Sequence, residues 1–129
     1  MIALVATADG MFAVDLETEE VDAGEPFTRD PEPVLNLPRV VAAAASGSTV
    51  AAVVDAKPPL LVSHDAGTTW RDSGRGLPAL QTVAIDDFDP DIVVVATRNR
   101  LYLSRDGGLF WTALAVELPE INALALREA

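Results

Sequence analysis

"SHDAGTTW" (63–70) and "SRDGGLFW" (104–111) lie 41 residues apart and carry Ser, Asp, Gly and Trp at matching places. Their flanks match too, since "LLVSHDAGTTW" (60–70) aligns without a gap on "LYLSRDGGLFW" (101–111). Leu-Pro recurs in the same rhythm, at 37–38, 77–78 and 118–119. Each copy precedes a small apolar run: "RVVAAAA", "ALQTVAI" and "EINALAL". A weaker copy opens the chain, where "LVATADGMFAV" (4–14) aligns with "VVATRNRLYLS" (94–104) and Leu16 takes the place of Asp106. Self-similarity at this period marks stacked supersecondary units, none of which can bury its apolar face alone.

Within each unit, short runs of Val, Leu and Ala alternate with Gly, Pro, Asp and Ser, a strand-and-turn pattern. "VVAAAA" (40–45) is ambiguous alone, but its copies alternate as strands do. Lettering the strands of a unit A to D, the chain reads B (2–7), C (10–15) and D (about 20–23). Next come A (40–45), B (49–55), C (59–63) and D (69–72). A (80–85), B (92–97), C (100–104), D (110–116) and a last A (121–126) complete it. The expected fold is all-β: three four-stranded antiparallel sheets, with the first sheet's A strand displaced to the C-terminus. Its units are 1–36 completed by the strand 118–129 of a partner chain, then 37–76, then 77–117.

Ser-x-Asp-x-Gly-x-Thr-Trp at 63–70, with Phe110 replacing Thr in the second copy, resembles the Asp-box of bacterial neuraminidase-type repeats. These repeats build β-propellers, and the chain is most similar to the sortilin-type and photosystem II assembly-factor-type members. The resemblance implies propeller blades and says little of activity, because one fold hosts many functions. Ser63, Asp65, Gly67 and Trp70, and Ser104, Asp106, Gly108 and Trp111, are therefore read as hairpin-forming residues. The Asp side chain accepts from the N–H groups of its own turn, and Trp covers it.

Ser63, His64 and Asp65 are not read as a catalytic triad. Consecutive residues point apart, whereas a triad needs His between the other two. The second copy also has Arg105 in place of His64. A sialidase reading fails as well: Tyr102 is the only tyrosine, it sits inside a strand, and no Phe-Arg-Ile-Pro motif occurs. No catalytic residue, cofactor or metal site is assigned. "DDFDPD" (86–91) lacks the glycine and late glutamate of a calcium loop.

Twenty acidic residues against nine basic ones give a net charge of −11, and Lys57 is the only lysine. Such a surface suits molar salt, where screening relieves self-repulsion. It disfavours nucleic acid as a partner. No run is long enough to span a membrane, cysteine is absent, and the reading is of a cytoplasmic, halophilic protein.

Three blades are fewer than a propeller ring holds. The expectation is a six-bladed ring from two copies, a homodimer sealed by the displaced strand. In such a ring the B–C and D–A loops share one face, which collects Arg29, Lys57, Arg75, Arg98 and Arg100, with Arg39. These are candidate ligands for a small anion or a protein partner. Pairing with Asp9, Asp30, Asp55, Asp72 or Glu120 is the competing use. The expected function is a non-catalytic binding or scaffolding module. The alternative is a carbohydrate-active hydrolase or lyase using Asp9, Asp55 or Glu120 in the channel.

Overall fold

Short runs rich in Val and Ile, bounded by Gly, Pro, Asp and Ser, favour strands over helices in this chain. The computed structural model describes residues 1–29 and 31–128. Its strands are β1 (Ile2–Thr7), β2 (Gly10–Asp15), β3 (Val21–Ala23), β4 (Val40–Ser46), β5 (Thr49–Val54) and β6 (Leu60–Ser63). The remainder are β7 (Arg71–Ser73), β8 (Thr82–Ile85), β9 (Val93–Ala96), β10 (Leu101–Ser104), β11 (Thr112–Ala113) and β12 (Ile121–Arg127). There is no helix among the described residues.

The strands form three four-stranded antiparallel sheets. Blade 1 has the order β12-β1-β2-β3, blade 2 is β4-β5-β6-β7, and blade 3 is β8-β9-β10-β11. The expected all-β architecture and the displaced A strand are both present. The short fourth strands are the main difference in length: β11 holds only two residues, against the seven read from the sequence. Its continuation, Leu114, still bonds Leu101, but the chain then turns away toward 118.

The strand read as belonging to a partner's blade pairs with β1 of its own chain, from Ile2 opposite Arg127 to Thr7 opposite Ile121. Blade 1 therefore follows blade 3 in space, and the order around the arc is 2, 3, 1. The connection 24–39 makes this reachable, since sixteen extended residues span up to about 50 Å. At the axis side, β8 packs against both β4 and β12.

Two cores result. One fills the junction of blades 3 and 1, with Leu101, Ile121, Leu124, Val5 and Val14 fully buried. The other joins blades 2 and 3 through Val53, Leu60 and Val62 against Val83, Val93 and Val95. Blade 3 is the keystone, shared by both.

Candidate functional site

The hairpins between third and fourth strands are set by one serine and one aspartate each. Ser63 Oγ donates to Asp65 Oδ1 at 2.7 Å and accepts from Gly67 N at 2.8 Å. Asp65 in turn accepts from the N–H of Thr69 at 2.8 Å and from its hydroxyl. Ser104 and Asp106 repeat the scheme: Ser104 Oγ donates at 2.7 Å, and Leu109 N and Phe110 N donate to the carboxylate at 3.1 and 3.0 Å. The first hairpin lacks that aspartate and uses another, with Asp15 Oδ1 accepting from Glu17 N and Thr18 N at 2.8 and 3.1 Å. The sequence alignment misses this substitute because it sits one position before Leu16.

His64 stands outside this network. Its Nδ1 is 3.3 Å from Thr49 Oγ1 and its Nε2 is 3.1 Å from Arg71 Nη2, so the imidazole does not bond Ser63 and no Ser-His-Asp relay forms. "DDFDPD" is likewise a turn: the buried Asp86 accepts from Phe88 N and Asp89 N at 3.3 and 2.9 Å.

The Thr69 hydroxyl and N–H, with Ser63, hold the Asp65 carboxyl well below the usual carboxylate range. Phe110 N–H and Ser104 lower Asp106, and Thr18 and Glu17 N–H groups lower Asp15. A carboxyl that holds its proton less tightly when folded adds stability above its unfolded pKa, about 3.9. That contribution fades as pH falls through the lower folded values. The melting-temperature gap between the native chain and Asp65→Asn is therefore expected to be widest above about pH 4 and to close below it. Thermal melts across pH at constant ionic strength check this; a gap independent of pH contradicts it.

The hairpin of blade 3 also grips blade 2. The buried Ser73 donates to Gly108 O and accepts from Trp111 Nε1 at 3.2 Å, and Arg71 Nη2 donates to Gly107 O at 3.2 Å. Sequence reasoning overlooked Arg71 and Ser73, because the register puts Thr112 and Leu114 at their places in blade 3. Ser73→Ala strands a half-buried indole N–H and the buried Gly108 carbonyl, so a loss of about 1–3 kcal/mol is expected in denaturant unfolding.

Two cavities among the described residues bear on function. A groove of about 220 Å³ runs along the axis side, floored by Ala43–Ala45, Val83–Ile85 and Leu124–Leu126. Thr28, Arg29, Pro31 and Pro33 wall it, and Asp87 stands at its rim. A second cavity of about 400 Å³ lies at the outer rim, between β7 with the turn 74–77 and the blade 3 hairpin.

The basic candidates are dispersed. Arg29 lines the groove and is bonded to Glu32 at 3.0 Å; Arg75 lines the outer cavity. Arg98 meets Glu120 at 3.1 Å and Arg100 meets Glu117 at 2.9 Å, while Lys57 is exposed in the β5–β6 turn. Asp30 lies outside the described residues. Asp9 and Asp55 are exposed turn residues, and neither they nor Glu120 line either cavity.

No family model matches this sequence, and no curated protein matches it. Solved structures do. One is the GH74 enzyme of Niastella koreensis, with a TM-score of 0.53 at 18% identity, covering 91% of this chain and 18% of that one. Another is YCF48 bound to a D1 peptide, with a TM-score of 0.53 at 20% identity, covering 92% of this chain and 38% of that one. This chain thus spans less than two fifths of the length of either. Both are β-propeller proteins, and the likeness extends to fold.

Proposed function

We propose that the chain is a non-catalytic β-propeller module of the Asp-box type, which binds a protein segment and assembles from two copies into a six-bladed ring. The axis groove carries this reading. Its floor is Ala, Val, Ile and Leu, which can neither donate nor take a proton; among its described lining residues Asp87 is the one carboxylate, and Asp9, Asp55 and Glu120 stand elsewhere. A groove walled by Pro31, Pro33 and Arg29 suits an extended chain with small apolar side chains and a carboxylate. That one propeller of similar fold is a peptide complex supports the class of ligand. The acidic body suits molar salt.

The test is binding of an array of extended peptides, acidic and neutral, in molar salt. Arg29→Ser is expected to weaken the acidic peptides at least about tenfold, equivalent to 1.4 kcal/mol, and the neutral ones little. Turnover of chromogenic glycosides that disappears in Glu120→Gln or Asp55→Asn would instead make the protein a carbohydrate-active enzyme.

A further inference from the structure

Blade 3 is covered on both faces and blade 1 on only one. Every residue of β8 and β9 is buried, whereas β1 alternates between half-buried and buried along its length. The half-buried set on blade 1 is Leu4, Ala6, Met11 and Ala13, an apolar sheet face with no blade against it. The pairing registers say what such a face does elsewhere. Val50 and Val93 stand opposite the hairpin serines, and Ala3 stands opposite Val14, which occupies the serine's place. Leu4, Ala6, Met11 and Ala13 therefore hold the positions of Ala51, Val53, Leu60 and Val62, the blade 2 residues that pack onto blade 3.

The far face of blade 2 is the matching half by register, open at the half-buried Leu61 and at the hairpin, with Val50 and Ala52 beneath at 6% and 0% exposed. Val50, Ala52 and Leu61 hold the positions of Val93, Val95 and Tyr102, the blade 3 residues that receive blade 2. Its hairpin is also unoccupied. A Cβ on Gly108 would meet Ser73 and Val62 of blade 2, but one on Gly67 would meet only its own Trp70. The chain thus makes the same junction twice, between blades 2 and 3 and between blades 3 and 1, and carries both halves of a third on opposite ends of the arc.

We infer that these two ends dock head to tail between copies: the Leu4/Ala13 face of blade 1 in one copy receives the Leu61/Gly67 face of blade 2 in a second. This rests on the ring reading and deepens it, because the seam is face-to-face packing and β12 stays in its own sheet. Two copies close with two identical seams and six blades, within the four to eight usual for propellers, while three copies exceed it.

The test uses Ala13→Arg and Leu61→Arg, each of which puts a charge on one half of the seam while leaving the other half intact. In molar salt the native chain is expected at about 27 kDa, twice its 13.6 kDa, and each variant as a folded monomer with a cooperative melt. An equimolar mixture of the two regains dimer, because one native seam remains possible between unlike copies. A native monomer overturns the ring reading itself. A native dimer whose variants both stay dimeric keeps the ring and overturns the seam. Monomeric variants that fail to pair in the mixture overturn the head-to-tail order.

Discussion

Deleting residues 121–129 is expected to abolish the cooperative melt of this protein. The strand lost is β12, which supplies the edge of blade 1 and half of the junction with blade 3. Ile121 and Leu124 are 1% and 2% exposed. Truncating a residue of this kind to Ala costs about 2–5 kcal/mol by lost transfer energy and cavity. The deletion removes both, along with the backbone partners of β1 from Ile2 to Thr7. Domains are stable by only about 5–15 kcal/mol, so the sum approaches the whole. Leu124→Ala alone is expected to lose about 2–5 kcal/mol in denaturant unfolding. A synthetic peptide of residues 118–129 added to the truncated chain should restore the melt, since the strand needs no covalent link to pair. A truncated chain that melts like the native one would show that β12 is not part of the folding unit.

The repeat made most of this architecture legible from sequence. A period of 41 residues located the hairpins at 63–70 and 104–111, and eleven of the twelve strands fall close to their read positions. Two things were not legible, for physical reasons. Strand pairing is read by backbone hydrogen bonds that are the same within and between chains, so the sequence of β12 carries no mark of whose β1 it joins. The blade order 2, 3, 1 also depends on the reach of segment 24–39, whose prolines indicate extension but not direction.

Candidate sites were harder to read than strands. A loop-side location gathers Arg29, Lys57, Arg75, Arg98 and Arg100 on paper, yet three of them meet glutamates and only Arg29 reaches the axis groove. Sorting by loop gives the face of a residue and not its neighbours. Arg71 and Ser73 escaped for the opposite reason. Their cross-blade contacts, to Gly107 and Gly108, join positions that the repeat aligns with Thr112 and Leu114. Repetition exposes what the units share; it conceals what one unit does for its neighbour.

That distinction sets the second large effect. Gly67 and Gly108 are equivalent in the repeat and share nearly the same backbone, with φ of 89° and 93°. An L side chain in left-handed backbone costs about 1–2 kcal/mol at either position. The environments differ. A Cβ at Gly108 lies 3.0 Å from Ser73 Oγ and 3.4 Å from Val62, inside the junction of blades 2 and 3. Ser73 cannot withdraw without breaking its bonds to Gly108 O and Trp111, so the overpacking adds about 1–3 kcal/mol. Gly108→Ala is expected to lose about 2–5 kcal/mol in unfolding, measured where the protein is monomeric. Gly67→Ala, whose Cβ meets only Trp70 at 3.5 Å, should lose the backbone part alone. In molar salt the asymmetry should shift, because a seam formed by a second copy would crowd Gly67 as blade 2 crowds Gly108. Gly67→Ala should then weaken assembly at least about tenfold, equivalent to 1.4 kcal/mol. Equal losses for the two variants in the monomer would contradict the junction; an unchanged dimer in Gly67→Ala would contradict the seam.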